Sequence, residues 1–384
     1  YRINDLRSRK NDGKYFKNKF DGENNGGGAI YALPKSSVEI DHCIFLENKS
    51  RESAGAILNR AEYLKINTIR FENNYSKNKG GAILNENSSV EMKKCDFIKN
   101  FSECCGGIYN VNSQLKMFKV IFNNNSANKC GAFFNHDSFV EFIDCKFIKN
   151  SSNDCAGAIL NYENSCQFSE CDFLKNNSIG QGGAIFNKSG EIILNECNFS
   201  KNSSKEDGGA IFNLEGCFKL VDCNFNNNRA LNRGGCVENN FNSKLCLTEC
   251  NFSKNHAKDG GAISNMKKCN LTIKDCDFKN NDALENGGTL YNWYGFVDIN
   301  TSNFINNESE YAGAIDNYLG WVNIKKSNFK DNHVKKNGGA IFNGGMLESL
   351  EECIFENNHS ILKGGAIYTT KSSSGNISKT KFDS

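Results

Sequence analysis

Residues Gly182-Gly183-Ala184-Ile185-Phe186-Asn187 read GGAIFN, and just before them Cys171-Asp172-Phe173-Leu174-Lys175-Asn176 reads CDFLKN. Both motifs return from one end of the chain to the other. The alanine slot of the first falls at Ala29, Ala56, Ala82, Gly107, Ala132, Ala158, Ala184, Ala210, Cys236, Ala262, Thr289, Ala314, Ala340 and Ala366, with gaps of 25 to 27 residues. A period this regular decides the architecture before any other feature.

Helical repeats usually need longer units and show a 3.6-residue apolar period. Here apolar residues alternate with polar ones: Val90 and Met92, then Cys95 and Phe97, with Glu91 and Asp96 between them. Ile192, Leu194, Cys197 and Phe199 repeat the pattern, which is that of strands. Glycine pairs and Asn/Ser/Asp/Lys clusters break each unit into about three short strands. The expected fold is therefore all-β, a right-handed parallel β-helix of about 14 coils of ~26 residues with three short strands per coil. At ~4.8 Å between stacked strands it would form a rod roughly 65 Å long. Residues 1–25 fit the repeat poorly and read as a partial first coil or N-terminal cap, with Phe16 and Phe20 near a core slot. Residues 26–384 read as one continuous β-helix domain.

Three ladders follow from the period. Phenylalanine fills one slot in every unit, from Phe45, Phe71 and Phe97 through Phe225 to Phe382. Three residues later comes an asparagine, from Asn48 and Asn74 to Asn358, suited to a turn because it tolerates left-handed backbone angles and can bond its stacked neighbour. A second asparagine ladder, Asn59 to Asn343, closes the GGAIxN strand. Several ladder asparagines sit in N-x-S/T sequons (Asn48, Asn74, Asn100, Asn150, Asn202, Asn358), but the slot stays asparagine where the sequon is incomplete, so the turn explains the residue.

The paired GGAI and FxxN motifs resemble the repeats of the chlamydial polymorphic outer-membrane proteins, and equally those of adhesin-like β-helix proteins of methanogenic archaea. The resemblance covers residues from about 26 to 382. It implies a β-helix displayed on a cell surface or outside the cell, used for adhesion to a protein or a cell-surface glycan, with self-association as a further option. The chain starts at Tyr1 and ends in mid-unit, which suggests a processed product or an excerpt of a longer protein.

The formal charge of +2 argues against a nucleic-acid binder, and no apolar run is long enough to cross a bilayer. Lysine pairs such as Lys93-Lys94, Lys267-Lys268 and Lys335-Lys336 read as solvated faces. Of 18 cysteines, nine occupy the slot two before the phenylalanine, where Ile69, Val120, Ser302, Ser327 and Thr380 also occur, so a small packed side chain is expected there. Cys104, Cys105, Cys130 and Cys155 lie before the glycine turn. A Cys105–Cys130 disulfide, a metal held by the four, and accidental proximity are the readings open to them.

No catalytic constellation is legible, and neither cofactor nor metal is expected. The histidines are scattered, and His136-Asp137 reads as a solvated turn pair. Glu238 and Asp316 share a strand slot three coils apart, ~14 Å, beyond the ~5–9.5 Å of glycosidase carboxylate pairs. That same slot, between isoleucine and asparagine, is mostly Leu, Phe or Tyr: Tyr109, Phe134, Leu160, Phe186, Phe212, Tyr291 and Phe342 among others. If the isoleucine points inward, these residues form an outward apolar stripe, the expected interaction surface. The expected function is a non-enzymatic structural or adhesive surface protein. The alternatives are a fibre subunit stacking end to end and a polysaccharide-binding or polysaccharide-cleaving β-helix of tail-spike or lyase type.

Overall fold

The structure, a computed structural model, describes residues 2–7, 14–16, 19–20, 26–371 and 373–383. The chain forms two compact units, Tyr1–Ile192 and Ile193–Ser384. Each is a parallel β-helix whose described strands fall into three parallel sheets, with about fourteen turns in the two together.

One coil of the first unit shows the rule. Strand Ile83–Glu86 carries the GGAI motif, and Ser89–Lys93 follows it in the same sheet. Asp96–Ile98 carries the phenylalanine in the second sheet, and Phe101–Ser102 lies in the third. The corners between strands turn on single left-handed residues: Asn87, Lys94 and Lys99 have φ of 54°, 53° and 52°. The sequence placed that conformation on the ladder asparagine. The structure moves it one residue earlier, to Lys99 rather than Asn100, and likewise to Lys175, Lys201 and Lys254. The left-handed residue stands at an exposed corner, where a long polar side chain meets water, and the asparagine after it is buried.

Stacking then sets what each slot can hold. In the first unit Phe45, Phe71, Phe97, Phe122, Phe147 and Phe173 stack with ring centroids 4.7–5.0 Å apart. In the second, Phe199 through Phe382 stack at 4.6–5.0 Å. These separations equal the strand spacing, so the rings pack without the backbone adjusting. Each inner asparagine bonds upward and downward. Asn74 Oδ1 accepts from both the backbone N–H and Nδ2 of Asn48, and Asn74 Nδ2 donates to Asn100 Oδ1 and to the Phe45 carbonyl. These amides are consumed inside the turn, which closes Asn48, Asn74, Asn100, Asn150 and Asn202 to glycosylation. The second ladder runs Asn85 to Asn110 to Asn135 to Asn161 at 2.7–2.9 Å.

The cysteine slot acquires a chemical reason that the sequence did not show. Cys95, Cys145 and Cys250 donate Sγ–H to the carbonyl two residues back, at 3.2–3.3 Å. Where serine or threonine stands in the slot, the hydroxyl makes the same bond: Ser302 to Asn300, Ser327 to Lys325, Thr380 to Ser378. The slot favours a short side chain with one donor.

The second glycine of most pairs is fixed by close approach. A Cβ on Gly235 would lie 2.0 Å from the Gly261 carbonyl oxygen and 2.8 Å from the backbone of His256. Both obstacles are backbone and cannot swing aside. Gly235→Ala is expected to lower stability by about 3 kcal/mol or more, read from the denaturant midpoint. An unchanged midpoint would mean that the coil spacing is softer than the stacked rings indicate.

The N-terminal segment stacks where it is described. Arg2–Arg7, Lys14–Phe16 and Lys19–Phe20 pair in parallel with Ile30–Asp41, Cys43–Leu46 and Lys49–Ser50, and Phe16 lies in register with Phe45. The rest of the expected partial coil lies outside the described residues.

Candidate functional site

On the GGAI strand the isoleucine faces the core and the next residue faces away from it. In the first unit Leu58 and Leu84 form a small cluster with Ala54, against which Tyr31 and Tyr109 pack. Tyr109 and Phe134 stack at 4.3 Å. The expected exposed stripe needs correction here. Phe134, Leu160, Phe186 and Phe212 are buried, Leu160 to 1% exposure, and Tyr109, Tyr291 and Phe342 are half-buried. In the coils around Tyr109, Phe134 and Leu160, residues of the turn before the glycines line a groove together with the stripe. Cys104, Lys129, Asp154 and Cys155 line this groove of about 330 Å³ together with His136 and Tyr162. The stripe is mainly a second, outer packing seam.

The thiols beside that groove are free. Cys105 and Cys130 are in-register partners, yet they form no disulfide. Parallel in-register side chains point the same way, and each thiol donates to the carbonyl three residues on, Ile108 at 3.1 Å and Phe133 at 3.0 Å. Burial pushes the Cys104 thiol up to about 11, so it stays protonated. His136, Asp137 and Glu163 bring donor atoms within 4.8 Å of one another and could hold a cation, but all three are partly or fully exposed. Sequence spacing gave no sign of Glu163, because it comes from the next coil.

In the second unit the same outward slot turns polar: Glu238, Ser264, Tyr291 and Asp316 occupy successive coils. Glu238 and Asp316 are 0% and 3% exposed, and Glu238 Oε2 and Asp316 Oδ1 have no hydrogen-bond partner. Glu238 Oε1 lies 3.4 Å from Asn240 Nδ2 and 3.8 Å from Arg233 Nη1. Asp207 grips the other edge of that guanidinium through Nε at 3.3 Å and Nη2 at 3.1 Å. Burial raises both carboxyls to about 8, against the pull of Arg233 on Glu238 and with the push of Asp259 on Asp316.

Below about pH 4.5 Glu238 is protonated folded or unfolded. Between there and about pH 8 only the folded state keeps the proton, so its stabilising contribution declines as pH rises through that window. Relative to Glu238→Gln, the native protein is expected to lose stability from about pH 5 to pH 8, by a few kcal/mol. Parallel pH profiles for the two proteins would show that the carboxyl ionises freely.

Over this cluster opens a pocket of about 460 Å³ lined by Arg233, Asn240, Phe241, Asn242, Met266, Lys267, Lys268 and Trp293. Two enlarged corners build it. From ladder asparagine to cysteine slot the chain takes ten residues in most coils, as from Asn85 to Cys95 or Asn213 to Cys223. It takes eleven from Asn239 to Cys250 and from Asn265 to Cys276. The extra residue makes Phe241 and Asn242 both left-handed, with φ of 52° and 54°, and leaves Phe241 60% exposed. A left-handed aromatic is strained, and such strain concentrates at functional positions. This spacing was the one sequence signal that could have located the pocket. The Lys267-Lys268 pair is exposed, as expected of a solvated face, and also lines the rim of this pocket.

Beside the pocket lies an exposed aromatic patch. Phe296 and Trp321 stack at 4.9 Å on the outer face of their strands, with Met346 in register beyond them. Tyr294, Tyr318 and Leu319 stand exposed at the adjoining corners.

Comparison with known proteins agrees with this geometry. Residues 10–173 match the family described as the right-handed β-helix region, and residues 196–214, 249–266, 326–344 and 352–370 match the Chlamydia polymorphic membrane protein repeat. The chain is thus a right-handed parallel β-helix carrying repeats of the polymorphic-membrane-protein type. No curated protein matches the sequence. Among solved structures, a double mutant of the periplasmic alginate epimerase AlgG matches with a TM-score of 0.23 and 11% identity, over 93% of this chain and 79% of that one. So low a score carries no argument about activity. Among the described residues no helix is long and apolar enough to cross a membrane.

Proposed function

We propose that the chain is a non-enzymatic adhesive β-helix displayed at a cell surface, which holds a protein or glycan partner against the second unit. The observation that carries this reading is the patch of Tyr294, Phe296, Tyr318, Leu319, Trp321 and Met346, each 36–46% exposed. Contiguous exposed aromatics of this kind mark interaction sites. The polymorphic-membrane-protein repeats support a surface setting. The non-enzymatic reading is supported by the burial of Glu238 and Asp316, because a carboxyl that a substrate cannot touch cannot exchange a proton with it.

Two measurements test the proposal. Labelling of intact producing cells with a membrane-impermeant biotin ester is expected to mark the protein, and protection from the label would overturn the surface assignment. Beads coated with Phe296→Ser/Trp321→Ser protein are expected to lose adhesion to a printed panel of cell-surface glycans and glycoproteins. Their melting temperature should hold, since exposed substitutions usually change stability by less than about 0.5 kcal/mol. Adhesion equal to that of the native protein would remove the patch from the account.

A further inference from the structure

The pocket formed by the enlarged corners has a chemistry of its own. Lys267 and Lys268 are exposed at its rim. Neighbouring lysines are paired with carboxylates: Lys258 with Glu285, Lys274 with Asp275, Lys279 with Asp277. Lys267 instead lies 5.9 Å over the Tyr294 ring, and no ion pair is formed by either rim lysine among the described residues. Asp207 holds Arg233 through Nε and Nη2, while Nη1 lies 3.4 Å from Met266 Sδ and, beyond hydrogen-bond distance, 3.8 Å from Glu238 Oε1. A thioether is a weak acceptor, so this donor is poorly used. Asn240 and Asn242 bring side-chain amides to the same wall. Trp293 and the strained Phe241 supply apolar ring faces.

We propose that this pocket binds a carboxylate-bearing sugar residue, a uronate within an acidic glycan. The three cations attract the carboxylate, and Arg233 Nη1 donates to it in exchange for the sulfur. The amides of Asn240 and Asn242 meet ring hydroxyls. The apolar face of the sugar lies against Trp293 or Phe241, whose rings it covers. Buried Glu238 acts as a positioning residue that holds Arg233 and Asn240 in place. About 460 Å³ is ample for one sugar ring and falls in the range of small-ligand sites. The exposed aromatics from Tyr294 to Trp321 lie where a glycan chain leaving the pocket would run. This deepens the adhesive reading by naming the ligand class.

The test uses tryptophan fluorescence. The native chain is titrated, with its two tryptophans as reporters, Trp293 in the pocket wall and Trp321 in the neighbouring patch. The titrants are galacturonate, an oligogalacturonate, a neutral galactose oligomer and sodium phosphate. Saturable changes are expected with both acidic sugars and tighter binding for the oligomer, with the neutral oligomer at least about tenfold weaker. Lys267→Gln/Lys268→Gln is expected to weaken the acidic oligomer about tenfold at unchanged melting temperature, the size of losing one charge-assisted contact. Equal response to neutral and acidic sugars, full competition by phosphate at equal concentration, indifference to the lysine changes, or no saturable response would each overturn the proposal. Failure here with adhesion and surface labelling intact would discard the uronate pocket alone, whereas failure of surface labelling would discard the adhesive reading.

Discussion

Replacing Asn255 by leucine is expected to cost roughly 3–6 kcal/mol, because the side chain is nearly the same size and every partner it leaves is buried. Asn255 Oδ1 accepts from the Asn228 backbone N–H at 2.9 Å and from Asn228 Nδ2 at 3.2 Å. Its own Nδ2 donates to the Phe225 carbonyl at 3.1 Å and to Asn281 Oδ1 at 2.9 Å. Leucine returns some apolar burial, about 1.5–3 kcal/mol at most. Against this it strands a backbone donor and a backbone carbonyl in a buried turn, at about 1–3 kcal/mol each, and leaves the amides above and below short of a partner. The net sign is set by that asymmetry: one side of several hydrogen bonds is removed while the other stays. The denaturant midpoint should fall accordingly, and the disturbance should centre on neighbouring coils, since a stacked coil is coupled directly only to its neighbours. A change below about 1 kcal/mol would mean that the turn rearranges to satisfy itself.

Phe225→Ala is expected to cost about 3–5 kcal/mol, at the upper end of that range. Phe225 is fully buried, with Phe199 at 4.7 Å on one side and Phe252 at 4.6 Å on the other. Cavities are least costly where surrounding atoms can collapse into them. Collapse is blocked here, because the backbone ladders fix Phe199, Phe225 and Phe252 in register. The void would be roofed and floored by rings that cannot approach. A melting curve unchanged by this substitution would show that the aromatic spine is not what holds the coils together.

How much of this was legible in the sequence depends on how often a feature repeats. The phenylalanine and asparagine ladders recur in coil after coil, so their slots could be read without coordinates. Stacking then makes each copy explain the next, as Asn74 does for Asn48. Three features escaped. The left-handed corner residue is carried by Lys99, Lys175 or Asn227, types with no common turn signature, so composition did not mark it. The outward stripe was placed on the right strand, yet turn residues of these coils, Cys104, Lys129 and Cys155, line a groove together with it, and alternation along a strand says nothing of what packs beside it. The polar pocket depends on one additional residue in each of two coils, a departure of one in about 26 that hides within the ordinary scatter of the repeat. Glu238 was noticed as an acid in an apolar slot, but its guanidinium partner lies five residues away across the glycine turn.

The central claim is that the repeat builds coils and that function sits where the repeat is broken. Deleting Phe241 tests this most directly. The shortened corner reads Asn239-Asn240-Asn242-Ser243-Lys244, matching the regular Asn85-Glu86-Asn87-Ser88-Ser89 position by position. Asn242 already has the left-handed φ of Asn87, and Ser243 Oγ already accepts from the Gly216 backbone as Ser113 Oγ does from Ser88. In a titration with oligogalacturonate, the deletion protein is expected to melt at or above the native temperature and to have lost at least about tenfold in affinity, since the strained aromatic and its wall of the pocket are gone. Native affinity in the shortened protein, or its failure to fold, would contradict the account.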